Sequence, residues 1–142
     1  MLNKLINIAR KNPKKLFLVD AFGAGITAVL LGIVLPLFEP LFGIPKSVLH
    51  FLALIPISFI IYDLFGYSSK NKTVGLWLKG IAFLNISYCI ISLVCALLNQ
   101  NEITFWGWYY IISDVLIILL LVIIELKVAK QVINQKVSYG KE

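Results

Sequence analysis

Four long apolar runs, 16–38, 47–66, 76–98 and 105–126, alternate with short polar or proline-rich links. A helix of about 20 residues crosses the ~30 Å hydrocarbon layer of a bilayer. The pattern therefore predicts an all-α, polytopic membrane protein: a four-transmembrane-helix bundle forming a single membrane domain over residues 1–142. The link at 36–46 carries Pro36, Pro40, Gly43 and Pro45, which a continuous helix does not tolerate. The 67–75 link carries Lys70, Asn71 and Lys72, and the 99–104 link is short enough to make the third and fourth runs antiparallel neighbours.

The runs differ in detail. Gly23, Ala24, Gly25, Ala28 and Gly32 give the first span a small-residue face that a neighbouring helix or a second copy of the chain can approach closely. Pro56 predicts a kink in the second span, with Ser58 placed to satisfy backbone groups that the proline leaves free. Trp106, Trp108, Tyr109 and Tyr110 open the fourth span with the aromatic crowding of a membrane interface. Residues 1–15 are basic. Leu2, Leu5, Ile6 and Ala9 fall on one side of a helix there and Asn3, Lys4, Asn7, Arg10 and Lys11 on the other, which reads either as a short interfacial helix stopped by Asn12-Pro13 or as a frayed tail. Residues 127–142 form a second basic tail, in which Val128, Val132 and Ile133 share a side that can continue the helix along the lipid surface.

Composition agrees with the pattern. The chain is 60% hydrophobic and 14% charged, against ~45–50% and ~25% in soluble domains. The net charge of +6 does not point to nucleic acid, because the bases flank apolar runs instead of lining one polar face. They act as orientation signals and as contacts for anionic lipid headgroups. Twelve of the thirteen bases fall in the N-terminal segment, in the middle link with Lys79, or in the C-terminal tail, and Lys46 alone falls on the other side. The positive-inside rule then puts the N-terminus and C-terminus in the cytoplasm.

Several soluble or catalytic readings fail on the residues. Gly23-x-Gly25-x-x-Ala28 fits the loose dinucleotide fingerprint, but the residues after it stay apolar and Glu39 comes too early for the ribose-binding acid. The first run is too long for a removable signal core, and Asp20 interrupts it. Cys89 and Cys95, six residues apart on one helix, point to different sides and lie too far apart for a disulfide. Tyr62-Asp63 matches half of the intramembrane aspartyl protease signature, and the Gly-x-Gly-Asp half is missing. No catalytic set, phosphate loop, metal cluster or cofactor box is present, so no cofactor is expected and an enzyme is disfavoured.

The polar residues inside the runs carry the remaining chemistry. Asp20, Asp63 and Glu125 lie within one or two turns of the predicted cytoplasmic ends of three spans, with Lys79 at the same level. A charge at mid-depth costs roughly 2.5–3.5 kcal/mol, so such groups face the bundle interior or water and take partners. They form either a cytoplasmic vestibule suited to proton coupling or cation binding, or interface residues that snorkel, with Lys79 pairing an aspartate to fix register. Asp114 is deeper, nine residues into the fourth span, and Asn85, Tyr88 and Ser92 form a stripe at helical spacing on the third. These four, with Ser113 and Thr27 nearby, read either as a midplane ligand or proton site or as an interhelical hydrogen bond worth about 0.6–2 kcal/mol. Glu39, His50 and Glu102, with Tyr109 or Tyr110 nearby, make a poor metal or proton site on the other side.

The segments Leu16-Phe17-Leu18-Val19-Asp20-Ala21, Gly23-Ala24, Leu31-Gly32, Phe38-Glu39, Phe42-Gly43-x-Pro45 and Glu125-Leu126-Lys127 together resemble an uncharacterised group of small four-helix bacterial inner-membrane proteins with no assigned activity. The likeness covers most of the chain and implies no reaction. Small multidrug exporters differ, since they are shorter and carry their essential glutamate well inside the first helix. Two functional expectations result. One is a non-enzymatic accessory or interaction protein with a membrane protein partner or a second copy of itself. The other is a small transporter or binding protein for a cation, proton or polar lipid that uses the intramembrane carboxylates.

Overall fold

The computed structural model describes Leu2–Tyr139; Met1 and the end of the basic tail, Gly140, Lys141 and Glu142, lie outside the described residues. The fold is all-α, 86% helical. The helices are α1 (Leu2–Lys11), α2 (Lys15–Leu37), α3 (Glu39–Phe42), α4 (Lys46–Ser68), α5 (Val74–Leu98) and α6 (Phe105–Tyr139). Among the described residues, three helices are long and apolar enough to cross a membrane: α2 and α4 with 23 residues each and α5 with 25. The fourth predicted span, 105–126, lies inside α6, a helix of 35 residues that continues past it to Tyr139.

Large apolar side chains face outward along every long helix, among them Phe22, Leu37, Leu54, Phe83, Leu98 and Ile117. Water would not support such a surface and hydrocarbon does. Inside, helix association rests on close packing, because lipid tails are as apolar as leucine. Phe17 is fully buried and lies where a Cβ on Gly66 would come within 2.7 Å of its ring, so only glycine fits there.

Helix α2 does not stop at Pro36 but changes its winding before it. Over Leu30–Val34 the backbone takes the wider π form, and the Leu35 amide donates to the Leu30 carbonyl five residues back. Pro36 supplies no N–H and its ring crowds the carbonyl four residues earlier, so an extra residue in the turn relieves that crowding. The predicted 36–46 turn contains the short α3 and ends at Gly43, whose φ of +67° favours glycine. The Thr104 amide donates to the Phe42 carbonyl at 3.1 Å and its hydroxyl to the Leu41 carbonyl at 2.6 Å, which ties this turn to the start of α6. In α4, Ser58 donates to the Ile55 carbonyl at 2.6 Å, not to the Leu52 carbonyl that Pro56 leaves free.

Helices α2 with α4, α4 with α5, and α5 with α6 pack side by side, whereas α2 and α6 scarcely touch. At one end, here the terminal end, α1 packs on the extended part of α6 and Ile6, Val74, Val128 and Ala129 are buried together. Up to Tyr139 the tail therefore continues α6 as helix, packed on α1 and with Gly75 against Ile133. At the opposite end, the loop end, α3 meets the start of α6.

Candidate functional site

The gap between α2 and α6 is a cavity of about 390 Å³. Its wall is mainly apolar: Ile26 and Leu30 from α2, Pro56 and Phe59 from α4, and Ile117, Ile118 and Leu121 from α6. Gly23 leaves the mouth wide, since a Cβ there would meet nothing within 4 Å. Ile26 and Ile117 beside it are exposed, so the cavity opens sideways, toward the surface that the long helices turn to lipid. Volumes of ~300–1,000 Å³ are those of ordinary small-molecule sites.

Two polar groups stand on this wall. Asp114 on α6 accepts a hydrogen bond from the Tyr88 hydroxyl of α5 at 3.3 Å, with Ser113 and Thr27 on the same lining. Tyr110, one turn before Asp114, lines the cavity too, and its buried hydroxyl has no protein partner. The second group begins with Asp20. It lines the cavity, is only 4% exposed, and accepts from the Asn85 amide at 3.0 Å through one oxygen.

Behind Asp20 lie Asp63 from α4 and Glu125 from α6, 1% and 0% exposed. Asp63 faces Asp20 within reach of a shared proton, and Glu125 interacts electrostatically with both. Neither lines the cavity. One oxygen of Asp20 and both oxygens of Asp63 and of Glu125 have no protein partner. As carboxylates these groups can only accept, so they cannot satisfy one another. Asn85 lies beside Glu125 but donates to Asp20.

The structure thus gathers Asp20, Asp63 and Glu125 and leaves Lys79 out. Leu78, Ile81, Ala82 and Asn85 form the buried face of α5, and Lys79 is exposed, about 100° round the helix from Leu78. No ion pair joins it to an aspartate; the salt bridge seen among the described residues is Lys46 to Glu39 at 3.2 Å, at the loop end. The stripe Asn85, Tyr88 and Ser92 is buried along one face, yet its members serve different neighbours. Asn85 bonds Asp20, Tyr88 bonds Asp114, and Ser92 lies toward the loop end among Leu31, Ile44 and Leu52. His50 and Glu102 are exposed, and among the described residues no three His, Cys, Asp or Glu side chains are placed to hold a metal ion. Cys89 and Cys95 are free thiols.

The sequence pattern does not single out Pro56, Phe59 and Gly23 as cavity residues, and it places Tyr110 in the aromatic belt and near Glu39, His50 and Glu102, away from Asp114. Tyr110 was detectable, because it precedes Asp114 by four residues and so shares its face. No protein-family model, curated protein or solved structure matches this chain.

Proposed function

We propose that this chain is a binding protein of the bacterial cytoplasmic membrane that takes an amphipathic, membrane-dissolved molecule sideways into the cavity between α2 and α6. In this reading α6 is the fourth crossing, so that the bundle has four spans with both termini in the cytoplasm, as the distribution of bases favours. The likeness to small four-helix inner-membrane proteins belongs to the same reading. The observation that carries it is the cavity itself: an apolar trough open on its lipid side, with acids and hydroxyls at fixed points along it. Apolar walls accommodate a hydrocarbon body, and Asp114 with Tyr88, or Asp20 with Asn85, meets a head that donates hydrogen bonds or carries positive charge. An accessory role with a protein partner is favoured over contact with lipid by no feature of the described surface.

Mass spectrometry of the protein released from native membrane discs tests the proposal. A stoichiometric small molecule should co-purify, fall at least tenfold in occupancy in Gly23→Leu, which fills the mouth, and fall also in Asp114→Asn. Equal occupancy in both variants and wild type would sink it, and so would a co-purifying protein with no small molecule.

A further inference from the structure

We propose that Asp20, Asp63 and Glu125 form a proton-holding site, and that Asp20 passes a proton out of it when a cationic head group occupies the adjacent cavity. The first half stands on the cluster alone, and the exchange rests on the cavity being a ligand site as proposed above. Three helices each deliver one carboxyl to the same buried place, five carboxylate oxygens have no protein partner, and Asp63 and Glu125 are sealed from the cavity. Such a group cannot stand as three bare anions, because buried charge without a partner is far less stable than the same group neutralised.

The candidates for neutralisation can be compared. Among the described residues no basic side chain stands at the cluster, since Lys15, Lys79 and Lys127 are exposed. The groups that face Asp20 are Asn85 from α5, Asp63 from α4 and Glu125 from α6. A metal ion is disfavoured, because no three of the described acids, histidines and cysteines are arranged to ligate one. An organic cation reaches Asp20 but has no route to Asp63 or Glu125, which do not line the cavity. Protons need no such space. A protonated Asp63 donates to the free oxygen of Asp20, so that a single added proton converts two opposed acceptors into a bonded pair.

Asp20 belongs to both places. When a fixed positive charge lies against it from the cavity, that charge supplies the neutralisation that the shared proton supplied. The Asp63 O–H then breaks, its proton crosses to the facing oxygen of Asp20 and passes from there to water at the cavity wall, leaving carboxylates opposite the cation, and no electrons change hands. Binding and proton release are linked in this way, and by the same linkage acid weakens binding of the cation.

The experiment uses full-length protein in lipid discs. Infrared spectra with isotope-labelled aspartate and glutamate should show the carbonyl stretch of protonated carboxyl groups in the wild type at neutral pH, reduced in Asp63→Asn and in Glu125→Gln. Absence of that band in the wild type overturns the proposal without recourse to any variant. Decyltrimethylammonium, whose charge cannot be shed as a proton, should then bind with release of about one proton to an indicator dye, and with none in Asp63→Asn. Binding without release in the wild type overturns the exchange. A protonated band with no binding of the probe supports the proton site and counts instead against the cavity as a cation site.

Discussion

A buried cluster of three acids and the half-buried Asp114, some 16 Å apart along α6 at its 1.5 Å rise per residue, are built on opposite plans. At the terminal end Asp20, Asp63 and Glu125 crowd together, Asp20 on the cavity wall and the other two buried away from it, and among the described residues Asn85 is the donor, to Asp20. In mid-helix Asp114 stands apart from other acids, takes a hydroxyl donor from Tyr88, and looks into an open cavity. The same residue type thus meets excess of its own kind in one place and hydroxyls and open space in the other. The difference teaches that helix spacing, more than residue chemistry, assigns their roles: α2 touches its neighbours at the cluster and parts from α6 along the cavity.

If that contrast holds, damage at the cluster should weigh most on folding. Asn85→Leu removes the amide that donates to Asp20 and leaves that Asp20 oxygen without a partner. A buried acceptor left so costs about 1–3 kcal/mol, and denaturant titration in detergent should show a loss in that range. A stability within experimental error of wild type would mean that the acids need no donor, and the sealed end would lose its distinction from the open one.

Tyr88→Phe is the matching change at the cavity. Its bond to Asp114 is long at 3.3 Å, and Asp114 can turn to the cavity when the hydroxyl is gone. The same titration should give a smaller loss, about 0.5–1.5 kcal/mol, the usual net worth of one such bond. A loss larger than that of Asn85→Leu would reverse the comparison and make Asp114 the structural acid.

Much of this arrangement follows from the sequence, and the part that does not has a definite cause. Apolar runs mark α2, α4 and α5 to within a few residues, because length and composition decide helix formation in oil. Continuation of the fourth helix past 126 is legible in Val128, Val132 and Ile133, which share a side; that this stretch packs on α1, a contact between chain ends, is not. The common level of Asp20, Asp63 and Glu125 is a matter of counting turns from helix ends. The exclusion of Lys79 depends on which face of α5 is buried, which Leu78, Ile81 and Ala82 decide together. Least legible is the cavity. It arises because α2 and α6 fail to close on one another, and a gap between helices distant in sequence leaves no periodic signal in either.

The smallest effect is expected at Tyr110, and it discriminates most sharply. Tyr110 lines the cavity and its hydroxyl is buried without a protein partner, while the ring packs edge-on against Phe42 with centroids 6.3 Å apart. Tyr110→Phe keeps the ring and deletes a group whose unsatisfied burial is itself unfavourable by about 1–3 kcal/mol. Ligand-free protein should therefore be unchanged in stability or slightly more stable in the denaturant titration. Occupancy of the co-purifying molecule should fall in the same variant, because the hydroxyl is placed to bond whatever lies beside Asp114. A clear loss of stability in ligand-free Tyr110→Phe would show that the hydroxyl serves the fold. The open site would then be held by its own internal bonds, as the sealed one is, and the reason for calling it a ligand site would go with it.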